Sequence, residues 1–227
     1  MFCGYFIVDA AAGAVKGFRP ALLLLKVRAY RKPLSYAELP ANDFNRKEPT
    51  FGIMLLLPYN PAWPNHFKQI ASILQAAVGN HLLTIHHIGS TAVPGLAAKP
   101  IIDINMEYPP EGELKAITAT LKNLGYHHNG DQGIPGREVF KRKPTDALHP
   151  VLDAIPHHLY ACPSDSTELN RHIQFRNGLR SDEKARIAYE NIKQEVATLV
   201  RQKRKAYAEI KQVQSHELIE SVLRAQP

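Results

Sequence analysis

Cysteine is scarce in this chain of 227 residues: there are two, Cys3 and Cys162, far apart and in no metal-ligand spacing. That argues against a disulfide scaffold and against a cysteine-based zinc site, and it fits a reducing compartment. Long apolar runs are also missing; none approaches the roughly 20 residues of a membrane-spanning helix. The opening "MFCGYFIVDAAAGAV" has no basic stretch ahead of its apolar part, so it does not read as a secretory signal. The expectation is a cytoplasmic protein with no membrane partner. There is no internal repeat and no low-complexity tract.

What is present is ordinary for a globular protein, 44% hydrophobic and 22% charged, with an excess of basic residues. The formal net charge is +7. Such a balance favours anionic partners (nucleotides, phosphorylated metabolites, nucleic acid) without choosing among them.

Residues 1–50 differ from the rest. "ALLLLKVRAY" reads as a strand, and the polar stretch after it, broken by Pro33, Pro40 and Pro49, reads as a linker. This segment is taken as an N-terminal extension, and residues 51–227 as the main domain. "GIMLLLPYNPAWP" predicts a short strand and a Pro-fixed turn. A helix is expected from about Pro64 to Val78, with Phe67, Ile70, Ala71, Leu74, Ala77 and Val78 as its apolar stripe and Gly79 at its end. "HLLTIHHI" and "KPIIDINM" read as strands, and "EGELKAITATLKNLG" as a helix closed by Gly125. "REVFKRK" and "HHLYAC" give two more strands. From Asp165 the pattern is helical. A long helix is expected after Ser181 as N-cap, burying Ala185, Ala188, Tyr189, Ile192, Val196, Leu199 and Val200; a last helix carries Leu218, Ile219, Val222 and Leu223. The expected fold class is α/β (α+β): a small mixed sheet flanked by helices, with a helical C-terminal third.

The most informative stretch is "HHIGSTAVPGLAAKPIIDINM", residues 86–106. Alternate side chains of a strand share a face, so Ile102, Ile104 and Met106 belong to the core while Ile101, Asp103 and Asn105 look toward a cleft. A carboxylate on such a strand needs a partner or a cation. Asp103 either caps a backbone turn, pairs with Lys99 or an arginine, or serves a ligand. Upstream, Gly89 permits close backbone approach and Ser90 offers a hydroxyl and an N–H, which together suit a phosphate. A metal could then bridge that phosphate to Asp103.

"IGS" at 88–90 followed by "DIN" at 103–105 resembles the nucleotidyltransferase-superfamily signature. "LLPYNPAWPNHF", "IHHIGSTAVPGLAAKPIIDI", "LGYHHNGDQGIPGREVFKR", "HHLYAC", "FRNGLR" and "YAEIK" occur in the order of the GrpB family, which the chain resembles from about Ile53 to about Leu223. Some members of that family are fused to dephospho-CoA kinase. The resemblance implies a nucleotidyltransferase-like core, with Asp103 and Ser90 as the expected catalytic residues. Gly89, Ser90, Thr91, Lys99, Arg137, Arg176, Arg180 and Lys211 form the expected phosphate-binding set. A divalent metal, Mg or Mn, would fall to Asp103, Asn105 and His158, since nucleotidyl transfer uses metals to neutralise the triphosphate.

The chain departs from that pattern. Asn105 holds the second acid position, and "HHLYAC" offers His157, His158 and Tyr160 but no acid; Asp153 precedes it. Arg137 either clamps a phosphate or a carboxylate through its planar fork, or decorates the solvated face of a hairpin. Asn177 replaces an acid in the arginine motif around Arg176 and Arg180, which is expected to loosen an internal arginine pair. Three functions follow: a metal-dependent transferase acting on a nucleotide, a ligand-binding or accessory module without turnover, and a nucleic-acid-contacting protein using the basic helical tail, whose run "RQKRK" at 201–205 reads most simply as a solvated helix face.

Overall fold

The computed structural model describes residues 55–111, 114–143, 147–200 and 204–226. The N-terminal segment 1–50, Cys3 and the side chains of the basic run at 201–205 lie outside the described residues.

The first helix, α1 (Trp63–Val78), carries Pro in its first turn, and its neighbour Trp63 is buried with Ile70, Leu74 and Val78. Ala77 of the expected stripe is exposed. Gly79 does end the helix but keeps a right-handed backbone, and the chain continues into a single 3₁₀ turn, Gly79–His81. Strand β1 (Thr84–Ile88) follows, then β2 (Ile102–Tyr108), α2 (Leu114–Asn123), β3 (Tyr126–His128), β4 (Glu138–Arg142), α3 (Pro150–Ala154) and β5 (His157–Pro163). The helical third holds α4 (Thr167–Ser181), α5 (Glu183–Leu199) and α6 (Arg204–Arg224). Among the described residues no helix is long and apolar enough to cross a membrane.

The sheet order is β1-β2-β5-β4-β3. Only β2 and β5 run parallel; the other pairs are antiparallel. Ile102, Ile104 and Met106 pack with Leu159, Ala161 and Phe140 against α1, α2 and α3, as the alternation in β2 requires. The opposite face of the sheet carries Ile88, Val139 and Tyr160 in a small apolar cluster beneath the C-terminal helices.

Three local expectations change. The strand expected from "GIMLLLPYNPAWP" is reduced, among the described residues, to one bridge in which Leu57 and Ala98 exchange two backbone hydrogen bonds of 2.9 Å. Pro58, the next residue, has no N–H to extend the ladder, and the chain turns toward α1, with the Ala62 and Trp63 N–H groups donating to Asn60. Ser181 is the last residue of α4, and Asp182 is the N-cap of α5, its carboxylate accepting from the Ala185 N–H at 3.1 Å. Adjacent cap-forming residues share the corner, and the charged one takes the start of the new helix. On α5, Leu199 faces solvent, and the buried stripe instead includes Lys193.

The helices α4 and α6 cross closely at Gly178. A Cβ there would lie 2.3 Å from Cγ1 of buried Val222. Overpacking costs about 1–3 kcal/mol, against the ~1 kcal/mol that alanine gains over glycine in a helix. Gly178→Ala is therefore expected to lower the denaturant midpoint, and Val222→Ala in the same chain to recover part of the loss. Equal or greater stability in the single variant would contradict this packing.

Candidate functional site

β1 ends at Ile88, which stands opposite Asp103 in the antiparallel register. The next residue, Gly89, has φ +71° and ψ −172°. This region is essentially reserved for glycine. A Cβ at Gly89 would also fall 2.4 Å from Asp103 Oδ2. The missing side chain is what lets the Asp103 carboxylate sit against the turn. Ser90–Ala92 then form one 3₁₀ turn, and Val93 and Leu96 anchor the rest of the loop among Leu179, Ala185, Tyr189 and Val222 of the helices.

Helix α4 ties down both ends of this turn. Arg176 Nη1 donates to the His87 carbonyl at 2.9 Å, and Arg180 donates to the Ala92 carbonyl through Nε (2.9 Å) and Nη2 (2.7 Å). Burial, with Arg180 beside it, pulls the Arg176 pKa down. Asn177 does not loosen the arrangement: its Oδ1 accepts from Arg176 Nε and Nη2 at 3.0 and 2.9 Å. An amide oxygen thus does the orienting work expected of an acid. Because the inward face of α4 serves a polar cleft, its apolar burial is confined to a few residues such as Leu169 and Leu179.

Below the turn lies a cavity of about 80 Å³. Gly89, Ser90 and Asp103 line it from the sheet side; Arg137, Arg176 and Lys211 bring three cations to it. Tyr160, His172, Phe175 and Tyr189 supply ring walls. Arg137 is 1% exposed, so it does not lie on a solvated hairpin face. Its guanidinium stacks 5.1 Å from the Tyr160 ring centre, and its Nε has no hydrogen-bond partner among the described residues. The loop before it is fixed by Ser166, whose hydroxyl donates to the Gly136 carbonyl at 2.8 Å while accepting from the Leu169 N–H at 3.3 Å. One side chain therefore caps α4 and holds the approach to Arg137.

Asp103 and His158 are register partners of the parallel β2–β5 pair, and His158 Nδ1 meets Asp103 Oδ1 at 2.9 Å. The carboxylate accepts, so Nδ1 carries the proton. His158 lines a neighbouring cavity that shares Arg137 and Tyr160 with the first. Asn105 is fully buried; its Nδ2 donates to Cys162 Sγ at 3.2 Å and its Oδ1 has no partner among the described residues. Burial pushes the Cys162 thiol up to about 11, so it is not a nucleophile at neutral pH. Among the described residues no group of three or more His, Cys, Asp or Glu is placed to hold a metal ion.

The remaining expected residues are engaged elsewhere. Thr91 is buried, its hydroxyl 3.0 Å from His87 Nε2 and donating to the Ile101 carbonyl at 3.5 Å. Burial, aided by Arg180 and Arg176 and opposed by Asp103, holds His87 neutral with a pKa lowered to about 4. Lys99 sits 4.3 Å over the Tyr207 ring. His172 and Tyr189 were not singled out as lining residues from sequence. His172 stands four residues before Arg176, one turn away on the same helix face, and that spacing was the available signal. His172 also binds Glu168 at 3.2 Å; burial raises the Glu168 carboxyl, and His172, Arg137 and Arg171 more than offset it, leaving its pKa lowered.

Residues 54–224 match the family described as GrpB protein. A UPF0157 protein of Pseudomonas aeruginosa is 34% identical over 152 residues, which are 67% of this chain and 60% of the relative. The chain thus spans about 60% of that relative's length. A dephospho-CoA kinase of Mycobacterium tuberculosis is 43% identical over 74 residues, 31% of this chain and 18% of the kinase. The crystal structure of the conserved protein GrpB from Enterococcus faecalis superposes with a TM-score of 0.62 at 28% identity, covering 74% of this chain and 97% of that one.

Proposed function

This chain belongs to the GrpB family, and from that premise we propose that its cleft binds a nucleotide or a similar phosphorylated ligand, the phosphates lying between the Gly89–Ser90 turn and Arg137. The observation that carries this is Arg137: a buried guanidinium, with an unpartnered Nε, on the wall of a cavity that also receives Arg176 and Lys211. A buried cation is costly unless it is both charge-compensated and hydrogen-bonded, and Glu168, which Arg137 helps hold ionised, leaves the Nε without a hydrogen bond. A phosphate in the cavity offers further negative charge and accepts the guanidinium fork.

A divalent metal at this place would take Asp103 and complete its shell from phosphate oxygens and water, a mode that suits Mg²⁺. The chemistry it would supply is charge neutralisation on the phosphates. A second reading, ligand binding without turnover, is favoured by Asn105, which occupies an acid position but spends its amide on Cys162 inside the protein.

Calorimetric titration with ATP, CTP, GTP, UTP and dephospho-CoA, each with and without Mg²⁺ or Mn²⁺, tests the proposal. At least one ligand should bind, more tightly with metal. Asp103→Ala should abolish the metal-dependent increment, expected at tenfold or more. Binding without any transfer product on incubation would favour the module without turnover. No binding under any condition would overturn the proposal.

A further inference from the structure

Behind the Gly-Ser turn lies a lysine the cleft does not expose. Lys193 of α5 is 2% exposed. Its Nζ donates to the Ala97 carbonyl and, at 3.4 Å, to Ser90 Oγ. It forms no ion pair with a carboxylate among the described residues. The groups facing it are few. From its own helix come the Tyr189 ring, 5.1 Å from Nζ, and Glu190, whose carboxylate also accepts from the Ala97 N–H at 3.4 Å and from Gln194 at 3.1 Å. From α6 comes Lys211, 3.5 Å from the Tyr189 hydroxyl. Among the described residues, the turn and the loop after it bring the Ser90 hydroxyl and the Ala97 carbonyl.

We propose that Lys193 is a positioning residue of the anion site, acting through Ser90: it holds the hydroxyl from behind, and it takes up a proton when a dianionic phosphate-like group settles against that hydroxyl. The inference rests on the cleft being an anion site. Ser90 lines the cavity while Lys193 does not. A hydroxyl that accepts from Lys193 has its own hydrogen free to donate into the cavity, and such chains strengthen when the first donor is charged. Burial, with Lys211 adding to it and Glu190 opposing, lowers the Lys193 pKa to about 7. At pH 8 the amine is therefore mostly neutral. An anion one hydroxyl away favours the charged form and raises that pKa. Affinity should fall by up to tenfold per pH unit above neutrality, because each binding event then draws a proton from solution.

Inorganic sulfate is the probe, since it does not titrate in this range. Calorimetry at pH 8 in two buffers of different ionisation enthalpy should show uptake close to one proton per sulfate. Lys193→Arg should bind sulfate with that uptake lost, because guanidinium stays charged; Lys193→Met should bind at least tenfold more weakly. If either variant fails to fold, heteronuclear NMR of the lysine ε-methylenes in the wild type decides: one lysine should titrate near neutrality and move upward with sulfate. Sulfate binding without proton uptake, or with uptake unchanged in Lys193→Arg, would overturn this role and leave the anion site standing. No such lysine resonance would do the same. Absence of sulfate binding would remove the anion site and this role together.

Discussion

Gly89→Ala is expected to destabilise the protein by roughly 3 kcal/mol and to abolish ligand binding in the cleft. Two costs combine. A backbone conformation open essentially to glycine costs about 1–3 kcal/mol for any other residue. The new methyl group also collides with Asp103, whose Oδ2 would be 2.4 Å and whose Cβ 3.0 Å away. Relief by moving Asp103 is blocked, because that side chain is fixed by His158 and its backbone is paired on both sides by β1 and β5. Chemical denaturation should register the loss, and a double-mutant cycle with Asp103→Ala should separate its parts. Removing the carboxylate relieves the oxygen clash but not the backbone strain, so a coupling of about 1 kcal/mol is expected, as for residues in contact. A stability loss under about 1 kcal/mol in the single variant would refute this account of the turn.

Arg137→Met is expected to separate stability from binding. Methionine roughly fills the volume of the stem and removes the buried cation. Folding stability should stay within about 1 kcal/mol of wild type or rise, as when buried charges give way to apolar groups. Affinity for the anionic ligand should fall at least 30-fold, since losing one partner of a buried charged contact costs about 2–5 kcal/mol. Glu168 keeps His172 and Arg171 in the variant, so it is not stranded. Side-by-side unfolding and titration curves measure both effects. Unchanged affinity would mean that the ligand does not reach Arg137.

Much of the frame was legible because it is local. The alternation of Ile102, Ile104 and Met106 against Asp103 fixed which face of β2 is core, and the apolar spacing of Ile70, Leu74 and Val78 placed α1. The turn at Gly89 followed from residue types that tolerate close approach. What the pattern could not supply was partnership across distance. The alternation in β2 does not say what stands opposite Asp103; the family resemblance brought His158 to it as a fellow metal ligand, and in the structure its Nδ1 donates to that carboxylate. Nothing near Arg137 says that its guanidinium will be sealed under Tyr160; a basic hairpin reads the same whether solvent or a helix lies above it. Lys193 was closer to visible. It follows Tyr189 by four residues and precedes Val200 by seven, which puts a lysine on the buried stripe of α5. Helical periodicity carried that signal; the usual preference of lysine for solvent masked it.

The parallel pairing of β2 with β5 also sets an order of assembly. β1 and β2 are antiparallel neighbours joined by one loop and can pair as soon as both have been synthesised. The other edge of β2 must wait for β5, with Asp103 and His158 separated by 55 residues. At ribosomal rates of about 5–20 residues per second, that edge stands open for roughly 3–10 s. It is apolar on one face, and an unpaired apolar edge invites wrong partners. The strand that completes the Asp103–His158 pair is thus also the strand that closes this open edge of β2 in the nascent chain. Substitutions in β5 would consequently show themselves in the yield of folded protein during synthesis before they show themselves in the chemistry of the cleft.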